Sequence, residues 1–110
     1  MVVISLLLLL LAPLGCDRKV AGGSTDGATV YDEACARCHG PNGVPEPGLA
    51  AQMGVKDLTR RELHERLSDA DIRKQILHGS ANKRMPAFSG MLTDEQVDAL
   101  VTYVRQLAAE

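Results

Sequence analysis

Apolar positions recur at helical spacing in four stretches of the chain. Near the C-terminus, Val97, Leu100, Val101, Val104, Leu107 and Ala108 form one stripe, while Asp94, Asp98, Arg105 and Gln106 face away. Thr93-Asp94-Glu95-Gln96 reads as a capping box at its start, with Leu92 and Val97 as a hydrophobic staple. Further upstream, Ile72, Ile76 and Leu77 make a second stripe, capped by Ser68, stapled by Leu67 to Ile72 and ended at Gly79. A shorter pattern opens at Asp57-Leu58-Thr59 and puts Leu63 and Leu67 on a face. The earliest spans Ala28 to His39, with Asp26 as N-cap, Asp32 and Glu33 in its N-terminal half, and Gly40-Pro41 as its stop. Within it, Gly27, Tyr31, Cys35 and His39 recur every four residues and drift slowly round one face. Gly40 to Leu49 reads as a turn-rich loop and Ser80 to Gly90 as an irregular stretch. The pattern predicts a small all-α domain.

Composition adds a constraint. The chain has 110 residues, 45% hydrophobic and 24% charged, which fits one globular domain. Its aromatic residues are only Tyr31, Tyr103 and Phe88. So small a domain has few large side chains with which to build a core, and a cofactor would fill the middle. The net charge of -2 gives no argument for nucleic acid or for strong attraction to anionic lipid.

The chemistry lies in the cysteines. There are three, Cys16, Cys35 and Cys38. Cys35-Ala36-Arg37-Cys38-His39 is a C-x-x-C-H sequence, the pattern of a c-type haem attachment site. Two thiols three residues apart share one side of a helix, and the imidazole follows one step round. They could bond two haem vinyl groups and present a ring nitrogen to the iron. A thioredoxin-like pair needs a preceding strand and a βαβ context, and neither is legible. A structural zinc site needs four ligands, whereas this segment supplies three, with His39 too close to Cys38.

A second axial ligand is sought downstream. Met85 lies in the irregular stretch, directly before Pro86, which fixes the backbone there. A thioether is a soft ligand suited to haem iron. Met53, in an Ala-rich segment, and Met91, beside Leu92 at a helix start, compete with it and are read as packing residues. His78, at a helix end, is a weaker alternative, and His64 is read as a solvated surface residue.

The N-terminus reads as an export signal. Val2 to Leu14 is an apolar run interrupted only by Ser5 and Pro13, too short to span a bilayer and of h-region length. It ends at Leu14-Gly15-Cys16, which resembles a bacterial lipoprotein signal in which Cys16 becomes the lipidated first residue. The alternative is an ordinary cleaved signal. Asp17 resembles an inner-membrane retention signal. Residues 1–15 are thus a signal peptide, and residues 16–27, polar and glycine-rich from Arg18, a flexible lipid-anchored linker that lets the domain swivel. Residues 28–110 form the domain.

Taken together, Cys35/Cys38/His39, the Pro47-x-Leu49 loop, Met85-Pro86 after a helix ending at Gly79, and the amphipathic terminal helix resemble the class I c-type cytochromes. The resemblance runs from about Gly27 to Ala109. It implies three to five helices wrapped round one covalent haem c, with the N- and C-terminal helices packed together and Gly27 and Tyr31 against Leu100 and Tyr103. It also implies His39 as proximal ligand, Met85 as distal ligand and the Pro47 carbonyl as acceptor for the other nitrogen of His39. The implied protein is a periplasmic, membrane-anchored, monomeric electron carrier and no enzyme. Redox proteins would be its donor and acceptor, and Lys83 and Arg84 would dock an acidic partner. A haem subunit of a larger respiratory oxidoreductase, or a five-coordinate sensor or peroxidase, are the alternatives.

Overall fold

A computed structural model describes residues 19–109. The signal sequence, Cys16 and the first part of the expected linker lie outside the described residues. Six helical segments follow a 3-10 turn at Val20–Gly23: α1 Gly27–Ala34, α2 Ala36–His39, α3 Pro47–Met53, α4 Arg61–Arg66, α5 Asp69–His78 and α6 Asp94–Gln106. No strand occurs among the described residues. The fold is the small all-α one expected.

Local signals account for most helix ends. Asp26 accepts the Thr29 amide and starts α1. Ser68/Asp71 and Thr93/Gln96 form complete capping boxes on α5 and α6. Two boundaries differ from the sequence pattern. The first helix is broken at Cys35 (φ -122°, ψ -36°), and α2 resumes at Ala36. The amides of Cys35, Cys38 and His39 stay paired through the break. Pro47 does not belong to a loop but opens α3, where its missing N–H costs nothing and the Glu46 carboxylate accepts the Gly48 and Leu49 amides. These two segments explain why the helices exceed the expected three to five.

The core consists of Val30, Tyr31, Ile72, Ile76, Phe88, Leu92, Val97, Leu100, Val101 and Val104. Helices α1 and α6 cross at Gly27, where a Cβ would stand 2.5 Å from the Ala99 carbonyl oxygen and 3.0 Å from the Tyr103 Cβ. Only glycine permits that approach. Tyr31 and Tyr103 meet beside the crossing with ring centroids 5.0 Å apart, a favourable tilted pair. The expected contact of these helices is therefore present, with Ala99 rather than Leu100 facing Gly27.

Two polar side chains join elements in ways the periodicity hid. Arg105, placed on the solvent face by its spacing, instead donates to Asp69 Oδ1 (2.8 Å) and to the His64 and Leu67 carbonyls (2.9 and 2.6 Å). It ties α6 to the C-terminal half of α4 and to the start of α5. Gln96, only 1% exposed, donates to the Val20 and Ser24 carbonyls (3.0 and 2.9 Å) while its oxygen accepts the Thr93 amide. The segment expected to swivel is thus docked from Val20 onward. Val20 and Ala21 pack against the core, and the Glu33 carboxylate accepts the Ala21 amide.

Candidate cofactor site

The break at Cys35 sets the first half of the site. Cys35, Cys38 and His39 all line one cavity of about 890 Å³. Burial pushes the Cys35 thiol up to about 11, with Cys38 adding to the effect. His39 Nδ1 lies 3.0 Å from the Lys56 carbonyl. A carbonyl only accepts, so Nδ1 carries the proton and Nε2 keeps its lone pair for a metal. Burial lowers the His39 pKa, the Lys56 hydrogen bond opposing it, and keeps the imidazole neutral as a ligand must be. The carbonyl held by His39 is therefore that of Lys56, not that of Pro47. Pro47 is exposed at the first turn of α3.

Met85 enters the same cavity from the other side of the chain. Its loop is held by Ser80: the Met85 amide donates to Ser80 Oγ and the Ser80 amide to the Met85 carbonyl, each at 3.0 Å. Gly79, at φ +71°, brings the backbone round, and a Cβ there would lie 2.4 Å from the Met85 carbonyl oxygen. Gln75 Nε2 sits 3.8 Å from the Met85 sulfur, a weak donor–thioether contact. Asn82 and Ser80, turn-forming residues just before Met85, were the available signal for this clamp. Nothing in the sequence marked Lys56.

The cavity fits a large apolar cofactor with a central metal. Leu63, Ile72, Ile76, Leu100 and Val104 are among its walls, with one imidazole, one thioether and two thiols also lining it. Its volume lies in the upper range of small-molecule sites. A porphyrin satisfies both the walls and the donors. Among the described residues, no cluster of three or more His, Cys, Asp or Glu side chains is arranged for a bare metal ion.

The other sequence candidates separate. Met53 lines the cavity from the end of α3, half-buried, so it is a wall residue. Met91 is not core: it is 55% exposed at the cavity rim, because α6 turns Leu92 inward instead. His78 is exposed and not among the residues lining the cavity. His64 is no solvated surface residue. Its Nε2 donates to the Leu58 carbonyl at 2.6 Å, and Arg105 approaches its Nδ1 at 3.3 Å.

Comparison with known proteins agrees with this geometry. Residues 23–104 match the family model described as cytochrome C oxidase, cbb3-type, subunit III. The chain is 33% identical over 87 residues to the cbb3-type cytochrome c oxidase subunit CcoP of Azospirillum brasilense, covering 79% of this chain and 29% of that protein. It is 35% identical to dihydro-heme d1 dehydrogenase of Pseudomonas aeruginosa over 76% of this chain and 15% of that one. The chain thus spans less than a third of either of these relatives. Cytochrome c6 of Thermosynechococcus vestitus is 36% identical over 95 residues, which cover 83% of this chain and 76% of its own. Among solved structures, the KustC0563 c-type cytochrome superposes with a TM-score of 0.70 at 34% identity, covering 76% of this chain and 99% of the other.

Proposed function

Because this chain belongs to the c-type cytochromes, we propose that it carries single electrons on one covalently attached haem c and catalyses no reaction of its own. The observation that carries this reading is the convergence of Cys35, Cys38, His39 and Met85 on one apolar cavity. Cys35 and Cys38 hold the cofactor as thioethers, which suits an exported protein whose haem must not dissociate. His39 Nε2 and Met85 Sδ would hold its iron. When bound, the haem supplies a one-electron couple, and a Met/His pair raises its potential. With both donors on the iron, no coordination site would be left for a substrate. The apolar walls keep water from the metal.

Met85 is the residue to test. Met85→Ala should abolish the red charge-transfer band of the ferric holoprotein and open a position to cyanide or carbon monoxide. An unchanged optical spectrum would instead assign the distal role elsewhere or leave the iron five-coordinate, as in a sensor or peroxidase.

The partners are redox proteins. Lys83 and Arg84 are exposed beside the Met85 loop, and Met91 offers an apolar contact at the rim. A small cationic patch with an apolar centre suits the weak, short-lived encounter that electron transfer needs. The sequence Leu14-Gly15-Cys16 supports acylation at Cys16 and a periplasmic location, anchored through lipid. Among the described residues, no helix is long and apolar enough to cross a membrane.

A further inference from the structure

We propose that the face built by the Lys19–Ser24 strap lies against the lipid headgroups and turns the strap side of the cofactor cavity, which Arg37 also lines, toward the bilayer surface. The proposal rests on the anchored reading given above and adds an orientation to it. Three observations carry it.

The strap is fixed to the domain. Both protons of the buried Gln96 amide are spent on it, one on the Val20 carbonyl and one on that of Ser24. The Ala21 amide donates to Glu33, near the C-terminal end of α1. Local bonds close it further, from Gly22 N to the Lys19 carbonyl (3.1 Å) and from Ser24 N to that of Ala21 (3.0 Å). Releasing it would strip a buried side chain of its partners.

The strap lies at the cavity. Val20 lines it together with Glu33, Cys35 and Arg37. The chain therefore leaves the domain beside Glu33 near the end of α1 and Gln96 in the first turn of α6.

The stretch between Cys16 and the strap is short in sequence. Only Asp17, Arg18 and Lys19 separate Cys16 from Val20. Four extended steps reach at most about 14 Å. A ten-residue linker would have let the domain turn any face to the bilayer. A tether of three residues does not, whether the apolar run before Cys16 is retained or replaced by acyl chains. Lys19 and Arg37 put cations on this face, where the Glu33 carboxylate is engaged by the Ala21 amide, and an anionic surface attracts cations within a Debye length.

The holoprotein in vesicles tests this. The full chain, matured with haem and lipid, is reconstituted into phosphatidylethanolamine/phosphatidylglycerol vesicles carrying a photoactivatable headgroup, and adducts are mapped by mass spectrometry. Adducts should be several-fold denser in the peptides holding Lys19–Ser24 and Arg37 than in those from α3 and α4. Twelve Gly/Ser residues inserted between Asp17 and Arg18 leave the fold untouched and should disperse the adducts. A dispersed map on the native chain, or one centred on α3 and α4, overturns the orientation. The intact mass separates the two readings. An acylated chain with adducts elsewhere overturns this inference alone, whereas an unacylated chain that does not float with the vesicles overturns the anchor and the orientation together.

Discussion

Polar atoms that are not ligands decide how His39 and Met85 present themselves. The Lys56 carbonyl fixes the imidazole tautomer, and the Ser80 hydroxyl fixes the backbone of Met85. Gln75 Nε2 points its positive end at the thioether sulfur. On the proposed ligation, that dipole would draw electron density from the sulfur and so favour the reduced form of the iron. A hydrogen bond with a net worth of about 0.5–1 kcal/mol corresponds to about 20–40 mV for one electron. Gln75→Leu should therefore lower the midpoint potential by roughly that amount with the red charge-transfer band retained, as protein-film voltammetry would show. A shift upward would mean that the amide does not reach the sulfur in the holoprotein.

At the scale of elements, the α1–α6 crossing and the helix caps behave differently. The crossing depends on the missing Cβ of Gly27, which faces rigid backbone at Ala99. Gly27→Ala must push the helices apart and should cost about 1–3 kcal/mol in urea unfolding of the holoprotein. The caps depend on charge. The Glu46 pKa is lowered by the Gly48 and Leu49 amides, and that of Asp71 by Ser68. Groups with folded pKa values below the unfolded ones stabilise at pH above the ordinary carboxylate range, and lose that contribution as pH falls through the folded values. Acid should thus fray the first turns of α3 and α5 before the core. Hydrogen exchange at the Gly48, Leu49 and Ser68 amides should accelerate, relative to intrinsic rates, below the ordinary Asp and Glu range, while α6 amides stay protected.

The whole molecule is held by a few polar bridges between distant segments. Arg105 joins α6 to Asp69, His64 and Leu67, whereas Arg73 joins only Asp98 across an exposed surface. Exposed ion pairs are worth about 0–1 kcal/mol, while a half-buried guanidinium satisfying two carbonyls and a carboxylate is worth more. Arg105→Ala should cost about 2–3 kcal/mol and Arg73→Ala under about 1 kcal/mol, measured side by side in denaturant. Equal losses would show that Arg105 acts only as another surface charge.

Much of this protein is local and so could be read from the chain. The C-x-x-C-H segment, the capping boxes at Ser68 and Thr93, the Gly79 and Gly40 ends and the apolar stripe of α6 all act within a turn or two, where residue order is geometry. Periodicity also placed Gly27 and Tyr31 on a face, from which the resemblance led to a contact with α6 that the structure contains. Only the tertiary structure decided which carbonyl holds His39, since Lys56 and Pro47 are equally plausible until the loop between α2 and α4 has a path. It decided likewise that Arg105, His64 and Gln96 turn inward and that the strap from Val20 is docked. The His39, Arg105 and Gln96 outcomes join atoms 17 to 76 residues apart. A polar side chain's partner is set by where the chain returns, and spacing along the sequence carries no record of that.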